Sequence, residues 1–190
     1  MTKGTRNLFS RSTLLLTLLL TLIPATAFAG VTLIPILGVT ISAPGTTLVE
    51  RPAPQQIEVV TQGLQSSGSL DEATLTVDEN LRLTIDETTM TIAGEVNGQI
   101  QGLDADTPMR LDGTITGHAT CVGAPPTPCE TLQLDILVNG ILLGGPGRDR
   151  LYELEQTLTA TLTSSNGQPP VVAWSQNGNK LALRAEQAPS

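Results

Sequence analysis

The stretch Met90–Gly102, MTIAGEVNGQIQG, decides the fold. Met90, Ile92, Gly94, Val96, Gly98, Ile100 and Gly102 fall on one parity, and Thr91, Ala93, Glu95, Asn97, Gln99 and Gln101 fall on the other. Successive side chains of a β-strand point to opposite faces, so a period of two predicts a strand buried on one side. The pattern recurs outward in both directions. Met109, Leu111, Gly113, Ile115, Gly117, Ala119 and Cys121 oppose Arg110, Asp112, Thr114, Thr116, His118 and Thr120. Ala73, Leu75 and Val77 alternate with Thr74 and Thr76, and Leu81, Leu83 and Ile85 alternate with Arg82 and Thr84. Leu132, Leu134, Ile136 and Val138 continue the series, as do Tyr152, Leu154, Leu158, Ala160 and Leu162 against Glu153, Glu155, Thr157, Thr159, Thr161 and Thr163.

Turn-forming residues punctuate these runs. Asp78-Glu79-Asn80 and Asp86-Glu87 fall at hairpin positions, and Asn166-Gly167 sits in a polar loop. Asn139-Gly140 and Asn177-Gly178 suit the positive φ angles of a type I′ turn. Asn97-Gly98 is different, because the alternation runs straight through it and predicts one continuous strand. Arg150–Thr157 has a second reading as a short helix, with Leu151, Leu154 and Leu158 on one side. Short connections between sequential strands predict an all-β protein, an antiparallel meander forming a sandwich or a small barrel.

The N-terminus sets the expected compartment. Lys3, Arg6 and Arg11 precede the apolar run LLLTLLLTLI at Leu14–Ile23, and Ala27-Phe28-Ala29 is a small-x-small site before Gly30. This is the pattern of a cleaved secretory signal peptide over residues 1–29. The apolar run is too short for the roughly 20 residues of a membrane span. Residues 30–56 then read as an apolar segment followed by a linker with Pro44, Pro52 and Pro54, and residues 57–190 as a single all-β domain. With the leader go three of the ten Lys and Arg residues, while all eighteen acids stay, so the net charge moves from −8 to −11.

Composition excludes several function classes. Nucleic acids and anionic membranes are bound through clustered Lys and Arg, and here only Arg148 and Arg150 stand together, with Asp149 between them. Tyr152 and Trp174 are the only aromatic rings after the leader. Stacking surfaces for single strands need several rings, and a transmembrane barrel needs aromatic girdles.

The stretch Gly117–Glu130, GHATCVGAPPTPCE, holds the only His, His118, and both cysteines, Cys121 and Cys129. A zinc site takes four ligands, with cysteines usually two to four residues apart, and a redox pair takes the C-x-x-C spacing. A Cys–His nucleophile would need His118 and Cys121 together, yet their spacing in a strand puts them on opposite faces. In an oxidising compartment the expected outcome is a Cys121–Cys129 disulfide. His118 is then a solvated residue of the polar face.

The remaining motifs are weaker. The acid pairs Asp71-Glu72, Asp78-Glu79 and Asp86-Glu87, with Asp104 and Asp106, invite a calcium reading, but the EF-hand pattern is absent. GGPGR at Gly144–Arg148 lacks the spacing and the Lys of a phosphate loop. AWSQNGNKLAL at Ala173–Leu183 resembles one copy of the blade motif of TolB-type propellers, but a propeller needs several copies, so the stretch is read as a hairpin turning at Asn177-Gly178.

No G-x-S-x-G and no second His accompany the many carboxylates. The expected function is therefore an exported, non-catalytic β domain serving as a structural, surface or protein-interaction component. It requires no cofactor, and its partner is an unidentified protein or another copy of itself. A small barrel carrying an apolar ligand is the alternative, and a carboxylate hydrolase the third. Gly94, Gly98, Gly102, Gly113 and Gly117 share the apolar parity and bear on the choice. They serve either close approach of another backbone or clearance for a cavity.

Overall fold

A computed structural model describes residues 32–103, 107–123, 129–144, 151–164 and 169–183. Among these residues are nine strands: β1 (Thr32–Ala43), β2 (Thr46–Ala53), β3 (Gln56–Leu70), β4 (Ala73–Asp86), β5 (Thr91–Gln101), β6 (Met109–Cys121), β7 (Thr131–Leu143), β8 (Leu151–Thr163) and β9 (Val171–Leu183). The protein is all-β, as the alternation predicts. The leader, Asp104, Asp106, the arginines at 148 and 150, most of GGPGR and Asn166-Gly167 lie outside the described residues.

From β2 to β9 each strand pairs antiparallel with the next, which is a meander. The circuit is closed by β1. Its first half pairs with β9, from Thr32 opposite Leu183 to Ile36 opposite Asn179. Its second half pairs with β3, from Leu37 opposite Ser69 to Ala43 opposite Gln65. The change of partner falls between Ile36 and Leu37, and Gly38, in the irregularity that follows, has a φ of +62° that few side chains tolerate. After Pro44-Gly45, β2 covers the rest of the same β3 edge, from Thr46 opposite Gln62 to Ala53 opposite Gln56. The segment read from sequence as an apolar stretch and linker thus supplies two strands. Their prolines sit at an edge, where a missing ladder donor costs little.

Inward and outward residues alternate along the strands. On β4 the buried row is Leu75, Val77, Glu79, Leu81, Leu83 and Ile85, and on β7 it is Leu132, Leu134, Ile136, Val138, Gly140 and Leu142. The outer face carries the Thr-rich parity and the ion pairs Arg82–Glu58, Arg110–Asp112 and Lys180–Glu155. Exposed pairs of this kind contribute little to stability.

Three expected turns are strand interiors. Asp78-Glu79-Asn80 lies inside β4, with Asp78 and Glu79 paired on both sides and Asn80 opposite Asn97 of β5. Asn139-Gly140 lies inside β7, with Gly140 opposite Gly113 and Leu154. Asn177-Gly178 marks a bulge in β9, where Thr157 faces Gly178 and Leu158 faces Gln176. Asn139-Gly140 is paired on both sides, and in the other two cases pairing with the adjoining strand continues past the turn-forming residues; ladder pairing overrides the local turn preference. The helical alternative for Arg150–Thr157 is likewise replaced by β8, which pairs residue by residue with β7. The true reversals include Asp71-Glu72, where both residues have positive φ (45° and 71°), and Glu87–Met90, where Met90 has φ of 56°.

Candidate functional site: a buried acid and amide across the closed sheet

Glu79 occupies one slot of the apolar inward row of β4 and has no solvent exposure. Gln156 does the same on β8, in the row of Tyr152, Leu154, Leu158, Ala160 and Leu162. Following the pairings from β4 to β8 crosses β5, β6 and β7 one way, and β3, β1 and β9 the other. The two strands are therefore opposite one another in the circuit. Their side chains nevertheless meet, since Gln156 Nε2 donates to Glu79 Oε1 at 3.0 Å.

The polar patch extends from there. Asn179 is the register partner of Gln156 and is also buried. Gln176 Nε2 donates to Asn179 Oδ1 at 2.7 Å. Ser66 and Thr61 on β3 are the other buried polar residues among those described. Thr61 Oγ1 and Thr47 Oγ1 lie 2.9 Å apart, and the Trp174 indole N–H points at Thr47 Oγ1 at 3.5 Å, linking β9 to β2. Among the described residues, four buried oxygens have no hydrogen-bond partner: Ser66 Oγ, Glu79 Oε2, Gln156 Oε1 and Gln176 Oε1.

Burial pushes the Glu79 carboxyl up from 4.5 to about 7. The hydrogen bond from Gln156 acts in the opposite direction, and the charge of Asp78 adds to the rise. The signal was present in the sequence. Read as one unbroken run, Ala73–Asp86 puts Glu79 on the parity of Leu75 and Leu81, and Gln156 shares the parity of Leu154 and Leu158. A turn assignment at Asp78-Glu79-Asn80 hides the first, and a polar residue passed over in an apolar row hides the second.

The glycines of the apolar parity stand against backbone. A Cβ at Gly94 would lie 2.2 Å from the Arg82 carbonyl oxygen, and one at Gly98 would lie 2.1 Å from that of Asp78, both on β4. At Gly113 and Gly117 it would lie 2.4 Å and 2.2 Å from the carbonyl oxygens of Asn139 and Asp135 on β7. Close approach is the operating reason, and the approaching backbone is the adjoining strand of the same sheet.

The other sequence candidates separate in space. Cys121 and Cys129 form a disulfide with Cα atoms 5.7 Å apart, at the β6–β7 connection. Val122 N donates to Thr131 O at 2.9 Å beside it. Residues 124–128 of that loop lie outside the described residues. With its sulfur bonded, Cys121 offers no thiolate to His118. His118 is exposed on the outer face, with Thr91 and Asp135 as register neighbours, and lines an open groove of about 810 Å³ with Thr116, Leu137 and Thr157. Asp71-Glu72 and Asp86-Glu87 lie at opposite ends of β4, and the middle pair is split, Asp78 outward and Glu79 inward. No group of three or more His, Cys, Asp or Glu side chains arranged for a metal occurs among the described residues.

The protein is of the all-β class, an antiparallel meander with a polar patch enclosed in its core. No protein-family model, curated protein or solved structure matches the chain.

Proposed function

We propose that this protein is an exported, non-catalytic β domain that acts through its outer surface, as a structural, surface or protein-interaction component. The observation that carries the reading is the 3.0 Å contact between Gln156 and Glu79. Side chains from opposite strands touch at the middle of the circuit, so at that level the interior is filled by the protein itself. A carrier needs an enclosed pocket lined by large apolar groups. The glycines offer no clearance either, because each of the four backs onto a neighbouring carbonyl. The closed circuit of pairings supports the barrel form of the meander over the sandwich.

Export rests on the basic head, apolar core and Ala-Phe-Ala site, and the disulfide fits an oxidising compartment. The acidic outer surface disfavours nucleic acid and anionic membranes as partners. Native mass spectrometry of the secreted protein tests the reading. The expected result is a chain starting at Gly30, free of small molecules, present as oligomers or with a bound protein. A retained apolar molecule in stoichiometric amount would replace this reading with the carrier.

A further inference from the structure

We propose that Glu79 stands in the folded protein as a neutral carboxylic acid paired through both of its oxygens with the amide of Gln156, a clasp between β4 and β8 that holds only while a proton is bound. One arm of this pair is visible, from Gln156 Nε2 to Glu79 Oε1. The atoms of the other arm, Glu79 Oε2 and Gln156 Oε1, are both buried and both without a partner. An ionised carboxylate and an amide oxygen are acceptors only, so neither can serve the other. One proton on Glu79 Oε2 turns that atom into a donor and gives Gln156 Oε1 its missing bond. A single added hydrogen thus accounts for two orphaned oxygens that belong to groups already in contact.

The surroundings favour the neutral form. Strand β3 presents Leu64 opposite Glu79, and β5 presents Gly98, which has no side chain. Strand β9 contributes the uncharged Asn179 beside Gln156. Tyr152 is the other titratable group turned inward among the described residues, on the same row as Gln156. The nearest charges on β4 itself, Asp78 and Arg82, face outward. No cation on any of these strands points inward among the described residues to balance an ionised Glu79, and a buried charge without a partner is strongly disfavoured. The carboxyl position near 7 agrees with this geometry.

The consequence is a domain whose core is intact in acidic surroundings and loosens as they become alkaline. Two measurements on the oxidised protein test it. Carbon-13 NMR of the Glu79 carboxyl, followed against pH, should show a midpoint about 7 rather than near 4.5. The melting temperature of the wild type should fall as the pH rises through that range. In Glu79→Gln, where an amide pair keeps both arms without ionising, that fall should vanish. A carboxyl midpoint near 4.5, or an equal fall in Glu79→Gln, overturns the clasp. So does a wild-type melting temperature at alkaline pH that calcium raises and a chelator lowers, since the orphaned oxygens would then be ligands. Should Glu79→Gln fail to fold, the wild-type NMR titration decides alone.

Discussion

Two Asp-Glu dipeptides on β4 have opposite fates. Asp86-Glu87 ends the strand in a turn, where Asp86 Oδ1 accepts the backbone N–H of Thr88 at 2.8 Å and of Thr89 at 3.1 Å. Those two bonds hold its carboxyl below the ordinary range. Asp78-Glu79 lies in mid-strand, and the alternation turns Glu79 into the core, where burial raises its carboxyl. One strand therefore carries two acids with opposite pH behaviour. Asp86 contributes stability that is present above its ordinary value of 3.8 and lost as the pH falls through its lowered one. Glu79 favours the fold below 4.5, and that contribution is lost as the pH rises toward 7. The difference teaches that the meaning of a dipeptide is set by its phase in the period of two and by access to water, not by its composition.

Substitutions can break either side of this comparison. The largest effect is expected for Gly98→Leu, next to Glu79 in the ladder. The new side chain meets the Asp78 carbonyl and the Glu79 Cα, and backbone yields less easily than a side chain. A loss of about 3 kcal/mol in chemical denaturation is expected, and an unchanged stability would show open space instead. Reduction of Cys121–Cys129, remote from both acids, sharpens the comparison. With 8 residues of separation the chain-entropy model gives about 2.5 kcal/mol. Thermal melts should drop without any change in either pH response.

Gln156→Leu leaves a buried carboxylic acid without its partner and should cost about 2 kcal/mol where Glu79 is protonated. Asp86→Asn is the smallest change. It should lower the melting temperature slightly at neutral pH and abolish the destabilisation seen at the acid end, with the Glu79 response intact.

The strands were legible because burial of one face imposes a period of two on the residues themselves, and Ile92 through Ile100 show it without interruption. The Cys121–Cys129 staple was legible from spacing together with the expected compartment. Closure of the sheet was not, because the half of β1 that pairs with β9 is distant from it in sequence, and the segment with Pro44, Pro52 and Pro54 read as a linker. Asn139-Gly140 and Asn177-Gly178 misled because turn preference is a local quantity of small size, and strand pairing outweighs it, on both sides for the first and along β8 for the second. The acid–amide pair was hidden for a related reason. Glu79 and Gln156 are 77 residues apart, and only the closed circuit brings them into contact.

The pH dependence of unfolding tests the central claim most directly. The free energy of unfolding of the oxidised wild type is measured in urea at about pH 5 and about pH 8, on either side of the Glu79 titration. A carboxyl raised from 4.5 to about 7 corresponds to about 3 kcal/mol between its two limits. The account predicts that most of this is lost on going to the higher pH, and that Glu79→Gln loses none of it. A wild type equally stable at both pH values, or more stable at the higher one, would contradict it.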